Sequence, residues 1–505
     1  MNLKHHKIIQ FTALLMFLGA STHTCFAETN ACGPSEDESL NDEAIQDIIA
    51  EETDSCDAPD VDAISIQETM ENAYMQNTDL DAARAGLRAT DETVSQAIGD
   101  WRPSLSVRGS EELGQTYLIG EGVRRHTSTT GYQASITQNI YKGGETDATI
   151  GQTESNVLAG RAELFNTEQS VLLKAIQAHT DILKNMAIVN YRKQNEEAYK
   201  KIQDFAQSRF EVGLGSYTDV EAAKGDYEAA KAELDRALSE LDKSKAAYLR
   251  QIGTPPGNLS PGNVIVPIPA KYDQVLEIAK AHNPIVLKAR YALEAAFYNV
   301  DLQMSGLLPK VNVGANVGNN RALVSTNTPK TTKRTDIGFS TTVDVPIYLQ
   351  GIPNSKIRQA YQQVAQQKVS LVGAQREVVE AARIAWANLI AARESLKGFL
   401  ASVKAQEVAV EGAYEEVNVG TKTIIDVLQI EQRLINVQID LANAQQNLII
   451  AGYQVLQAMG RLTARDLHLN VTYYDPDAYY NEYKEAWIQF WQGKDYRYVK
   501  DGNSQ

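Results

Sequence analysis

Hydrophobic residues recur every seventh position at Ile150, Val157, Leu164, Val171 and Ala178, with a second seam through Ala175, Ile182 and Val189. A sustained heptad of this kind predicts a helix packed against other helices in coiled-coil fashion. The stretch from Glu145 to Glu211 holds no proline and only two glycines. Unbroken, such a helix would reach roughly 100 Å at 1.5 Å per residue. The same pattern returns 207 residues later at Ile357, Val364, Leu371, Val378 and Ala385, then at Ala382, Leu389 and Leu396. Pro353 falls close to the start of that second copy, where a first-turn proline is tolerated.

The repetition extends beyond the heptads. At offset 207, Tyr141 meets Tyr348, Gly144 meets Gly351, Gly213 meets Gly420, Asp219-Val220 meets Asp426-Val427, and Gly253 meets Gly460. Upstream, at offset 206, Ala73 meets Ala279, Asn77 meets Asn283, Arg84 meets Arg290, and Pro103 meets Pro309. The chain is therefore an internal duplication, each unit reading helix, proline, two strands, long helix, Val-Gly turn, helix.

Between the helical stretches the period shortens to two. Leu105, Val107, Leu113 and Tyr117 share one face, as do Tyr132, Ala134, Ile136 and Ile140, with Gln133, Ser135, Thr137 and Asn139 between them. In the second unit Val311, Val313, Ala315 and Val317 alternate with polar or glycine positions, and Ile337, Phe339, Val343 and Val345 do the same. This alternation predicts strands 104–117, 131–141, 310–318 and 336–346, apolar on one face and polar on the other. Each pair forms a hairpin, with polar loops expected at 118–130 and 320–334, the first holding a solvated His126.

Composition changes the picture mainly at the ends. Met1 to Ala27 reads as a secretory signal: Lys4, His5, His6 and Lys7 precede an apolar run to Ala20. Cys25 follows Thr22-His23-Thr24, a context that argues against a lipoprotein anchor. Residues 28–61 form an acidic extension: Glu28 to Asp60 contains twelve Asp or Glu and no Lys or Arg, which accounts for most of the net charge of −16. Cys32 and Cys56 lie in it and could pair in an oxidising compartment. The first unit covers 62–253 and the second 272–462, joined by a linker, 254–271, with Pro255, Pro256, Pro261, Pro267 and Pro269. A tail, 463–505, carries Tyr473, Tyr474, Tyr479, Tyr480, Tyr483, Trp487, Phe490 and Trp491. Those aromatics suit a membrane belt, a partner surface, or packing back along the helices.

No apolar run is long enough for a spanning helix, so the strands are the candidates for crossing a membrane. Four strands cannot close, because the smallest membrane barrels have about eight. Their edges cannot lie open in lipid either. Three chains would give a closed barrel of twelve strands, wide enough to hold water. The fold class expected is mostly α with membrane β: long coiled-coil-like helices forming an α-barrel, and four strands per chain entering a trimeric β-barrel.

The chain resembles the TolC family of outer-membrane efflux and type I secretion channels over about residues 62–480. The likeness rests on the duplicated layout, on Pro103 and Pro309 before the first strand of each half, and on two turn motifs. These are Val212-Gly213 with Thr218-Asp219-Val220, and Val419-Gly420-Thr421-Lys422-Thr423-Ile424-Ile425-Asp426-Val427-Leu428. The resemblance implies a homotrimeric barrel in outer-membrane lipid on a periplasmic α-helical tube, with a periplasmic adaptor and an inner-membrane transporter at the helical tip. It further implies a gate in which Asp219 and Lys422 tie neighbouring helices, with Asp426 lining the pore. Lys422 stands where the family has Arg, Val417 where it has a tyrosine, and Gln429 where it has a second pore-lining Asp. From the residues alone, Ser216-x-x-Asp219 and Thr423-x-x-Asp426 also fit capping boxes. Both readings stand at this point.

Other classes fit less well. Only seven histidines occur, three of them in the signal, and there is no metal-spaced Cys pair, P-loop, H-E-x-x-H or G-x-S-x-G. Neither an enzyme nor a resident cofactor is expected. A net charge of −16 without a basic stripe argues against nucleic acid. A periplasmic adaptor or a structural coiled coil of the envelope remains the alternative; it would explain the helices but not the two strand pairs.

Overall fold

The computed structural model describes residues 63–118, 123–261, 268–325, 330–419 and 421–487. The expected signal segment, the acidic extension with Cys32 and Cys56, and Gly420 lie outside the described residues.

The order of elements repeats as the sequence does. α1 (Ile66–Gln76), α2 (Thr78–Gly99), β1 (Ser104–Leu118), β2 (Val123–Tyr141), α3 (Glu145–Glu211) and α4 (Tyr217–Ile252) form the first unit. α5 (Tyr272–His282), α6 (Pro284–Ser305), β3 (Lys310–Ser325), β4 (Lys330–Asp344), α7 (Ile352–Asn418) and α8 (Ile424–Met459) form the second. A short α9 (Pro476–Tyr483) follows. The long helices α3 and α7 each run 67 residues and their return helices α4 and α8 each run 36. Among the described residues no helix is long and apolar enough to cross a membrane.

Repeated residues do repeated work. Asn77 ends α1 and caps α2, accepting from the N–H groups of Asp79 and Leu80 at 2.9 and 3.2 Å, while its amide donates to Gln251 O at 2.7 Å. Asn283 caps α6 through Ile285 N–H at 2.9 Å and donates to Ala458 O at 2.9 Å. Each asparagine thus satisfies a helix start and ties it to the end of the unit's last helix. Around these ties the apolar faces of α1 to α8 merge into one core, including Leu80, Leu172, Ile176, Ile182, Tyr248, Ile252, Leu456 and Met459. Below it α3 lies against both α4 and α8, and α8 against α7; above it α3 lies against α2 and α6, and α6 against α7.

The strands form a single antiparallel sheet in the order β1-β2-β3-β4. Rows of side chains run across it, such as Leu105–Ile136–Ala315–Phe339 and Val107–Ala134–Val317–Ile337. Alternating with these are Ser106–Ser135–Asn316–Gly338 and Arg108–Gln133–Gly318–Asp336. Leu105, Val107, Ile337 and Phe339 are exposed, so one whole face of the sheet is an uncovered apolar surface.

The strands run beyond the expected bounds, and this corrects the long polar loops at 118–130 and 320–334. β2 starts at Val123 rather than 131, β3 continues to Ser325, and β4 starts at Lys330 rather than 336 and ends at Asp344. His126 is a strand residue facing Gln115 and Ser325, not a loop residue. In this outer part Arg124 to Thr130 of β2 and Lys330 to Asp336 of β4 are polar at every position. Pairing persists there by backbone hydrogen bonds while the apolar alternation that signals a strand fades.

Candidate periplasmic gate at the helical tip

The two turn motifs occupy the end of the helical hairpins opposite the sheet. At the first, α3 closes in a Schellman turn: Gly213 N–H donates to Phe210 O at 3.0 Å and Leu214 N–H to Arg209 O at 2.8 Å. Gly213 takes φ +75, a left-handed conformation that costs glycine little and other residues more. Ser216 then caps α4. Asp219 N–H donates to Ser216 Oγ and Ser216 N–H donates to Asp219 Oδ2, both at 3.1 Å. This reciprocal pair is a capping box. The Ser216 backbone N–H, its hydroxyl and the charge of Arg209 hold the Asp219 carboxyl below the ordinary range, so it is ionised at neutral pH.

The second turn shares the backward bond and the cap. Thr421 N–H donates to Glu416 O at 2.9 Å. Thr423 N–H and Oγ1–H both donate to Asp426 Oδ2, at 2.9 and 2.7 Å, completing a capping box at the start of α8. These bonds and the nearby Lys422 lower the Asp426 pKa. Both aspartates therefore serve as caps in the single chain. Their charge is retained.

Lys422 is engaged elsewhere: its ammonium pairs with Glu416 Oε2 at 2.6 Å, across the turn. Glu416 was not singled out by sequence. Its place six residues before Lys422, on the far side of a helix stop, gave no helical spacing by which to find it. Close by, Glu431 accepts from the Tyr414 hydroxyl, whose pKa is pushed up to about 12 by that bond. Around these charges sit exposed apolar groups, Val212, Leu214, Tyr217, Val419 and Ile425. Pro103 and Pro309 lie at the other end, between α2 and β1 and between α6 and β3. Proline there stops each helix and starts each strand.

The sequence model of the outer membrane efflux protein family matches residues 69–254 and 275–461. The chain belongs to that family. It is 32% identical over 422 residues to the outer membrane efflux protein BepC of Brucella suis, covering 82% of this chain and 90% of that protein. To the outer membrane protein TolC of Escherichia coli it is 24% identical over 424 residues, covering 80% and 84% of the two chains. The CmeC outer membrane channel of Campylobacter jejuni shares the fold with a TM-score of 0.68 at 16% identity, over 83% of this chain and 89% of that one. As a member of the outer membrane efflux family, the protein is an outer-membrane channel for efflux or type I secretion, with its long helices in the periplasm. The reading as a periplasmic adaptor or an envelope stalk falls away.

Proposed function

We propose that three copies of this chain close one conduit, and that the two turns gate its periplasmic end. The observation that carries the first half is the sheet: four antiparallel strands with an exposed apolar face and unpaired outer edges on β1 and β4. Unpaired backbone groups are costly in lipid, and four strands are too few to close alone. A ring of copies joined β4 to β1 pairs every edge. Three copies give twelve strands, wide enough for a water-filled lumen.

The packing of the helices supports the second half. α3 lies against α8, and Tyr199 OH reaches Gln432 Oε1 at 3.5 Å between them. The same contact, moved by one repeat, sets α4 of a neighbouring copy beside α7. That brings the neighbour's Asp219 toward the turn holding Lys422, where it competes with Glu416 for the ammonium. Asp426, repeated three times about the axis, supplies a ring of negative charge that draws cations. A periplasmic adaptor and an inner-membrane transporter would meet this tip, with its rim of exposed apolar side chains.

Planar-bilayer recording tests the gate. Lys422→Ala is expected to raise single-channel conductance severalfold with trimers intact. Asp426→Asn is expected to lower the cation preference read from reversal potentials across a salt gradient. If Lys422→Ala leaves conductance unchanged and Asp426→Asn leaves the preference unchanged, the two residues belong to helix capping alone.

A further inference from the structure

We propose that the joint between neighbouring copies reproduces the β2–β3 joint inside the chain, so that β4 runs antiparallel to β1 of the next copy with Asp344 opposite Arg108, Val343 opposite Gly109 and Phe339 opposite Leu113. The inference rests on the trimeric reading above and fixes the register it leaves open.

The two hairpins correspond residue for residue. Ser104 faces Thr137 in the first, and Lys310 faces Asp344 in the second. β1 and β3 are thus related by an offset of 206, and β2 and β4 by 207. These are the offsets that also relate Pro103 to Pro309 and Tyr141 to Tyr348. The chain contains one joint between hairpins, in which Thr137 faces Gly314, Ile136 faces Ala315 and Tyr132 faces Asn319. Moving the β2 partner forward by 207 and the β3 partner back by 206 turns these pairs into Asp344–Arg108, Val343–Gly109 and Phe339–Leu113.

Three features of the outer edges agree with this register. The faces match: Phe339 and Leu113, 83% and 76% exposed, both lie on the apolar surface. A slip by one residue would turn every apolar group of one strand toward the polar face of its neighbour. The charges match as well. Arg108 and Asp344 are both exposed, and neither has an ion pair among the described residues. In this register they stand directly opposite across the seam, where opposite charges attract. The strand ends match too. β2, paired on both sides, continues to Tyr141, whereas β4, paired on one side, stops at Asp344. Val345, just beyond, is 57% exposed and would fall opposite Val107, which is 77% exposed.

Cysteine cross-linking in outer membranes tests it, in full-length chain whose own cysteines are changed to serine. Ser110→Cys with Thr342→Cys, and Gly109→Cys with Val343→Cys, are expected to give covalent dimers and trimers on denaturing gels. Ser110→Cys with Ser340→Cys, a slip of two on the same face, should link at least tenfold more slowly. Ser135→Cys with Asn316→Cys, a pair within one chain, reports that the sheet has formed. Charge exchange gives a second measurement: Arg108→Asp should lower the temperature at which trimers dissociate, and adding Asp344→Arg should restore it. Faster linking by the slipped pair overturns the register, as does absence of any β1–β4 link in protein that still migrates unheated as a trimer. In both cases the trimeric reading survives. A monomer in the membrane overturns the trimeric reading and the register with it.

Discussion

The two halves of the chain share a backbone plan and differ in what they bury. In the first, Thr69 Oγ1 donates to His179 Nδ1 at 2.8 Å, His179 Nε2 donates to Ser260 O at 3.1 Å, and Tyr248 OH lies 3.4 Å from Thr69. The repeat relates Thr69, His179 and Tyr248 to Val275, Trp386 and Val455, an apolar trio in the second half. At the junction of helix and strand, Asp100 receives Lys142 Nζ at 2.7 Å and Thr146 Oγ1 at 2.6 Å. Its counterparts are Gly306, Leu349 and Pro353, which line a cavity of about 590 Å³. There Gln350 takes φ 56 where the first half has Gly143 at φ 67. Higher on α2, Asp91 is buried near Arg161, and Arg161 pairs with Asp477 of α9 at 2.6 Å. The repeat relates Asp91 and Arg161 to Phe297 and Lys368, a cation–π pair 5.5 Å apart with Phe297 exposed. Duplication preserved the spacing that builds helices and strands. Polar chemistry diverged, with the linker's Ser260 meeting His179 and the tail's Asp477 meeting Arg161.

The largest expected effect comes from Asp91, whose two carboxylate oxygens have no hydrogen-bond partner among the described residues. Burial, opposed by Arg161 and reinforced by Asp477 and Glu92, raises its pKa to about 6. The folded chain thus holds a proton that the unfolded chain releases at lower pH, and stability falls as pH rises from roughly 4 to 6. Asp91→Asn should therefore stabilise the protein at pH 7.5 by roughly 2–3 kcal/mol. The gain should vanish below about pH 4, as read by helical circular dichroism during heating in detergent. An unchanged melting temperature at pH 7.5 would show that Asp91 is neutralised by the arginines around it.

A smaller loss is expected from Asp100→Ala, about 2 kcal/mol, because the half-buried Lys142 ammonium and the Thr146 hydroxyl lose their acceptor. Burial pushes the Asp100 carboxyl up, but Lys142, Thr146 and Asn139 together bring it below its ordinary value. Its contribution is therefore present above about pH 4 and is lost as pH falls through the lowered pKa. Gly306→Ala, at the matching place beside the cavity, should change little. Equal effects of the two substitutions would erase the contrast between the junctions.

The smallest effect sharpens the contrast at the core. Burial lowers the His179 pKa, with the Ser260 carbonyl opposing, so the ring is neutral and its stabilisation fades as pH falls below about 6.5. Thr69→Val, which copies the second half, should cost about 1 kcal/mol through the lost hydrogen bond. It should leave the acid sensitivity in place, because the imidazole remains. Thermal unfolding of both forms at pH 7.5 and 5.5 distinguishes the hydroxyl's share from the histidine's.

The tail shows how one aromatic-rich segment is settled by packing. Tyr479 OH donates to Glu92 at 2.6 Å, Arg102 donates to Ala486 O at 2.7 Å, and Arg102 lies over the Trp487 ring. Residues 476–487 therefore pack back along the helices; Phe490 and Trp491 lie outside the described residues.

The sequence by itself determined what short-range physics controls. Heptads set the long helices, Asn77 and Asn283 set the caps, the prolines set the change from helix to strand, and alternation set the apolar face of the sheet. It also determined that the chain is built twice. Tertiary structure decided what depends on the surroundings of a residue. β2 pairs around His126 because neighbouring backbones lie alongside, although Arg124 to Thr130 are all polar. Lys422 meets Glu416 because Thr421 N–H bonds back to Glu416 O at the end of α7. Asp91, Asp100 and His179 acquire their roles from segments far away in the chain that bury or satisfy them, and burial is a property of contacts rather than of sequence spacing.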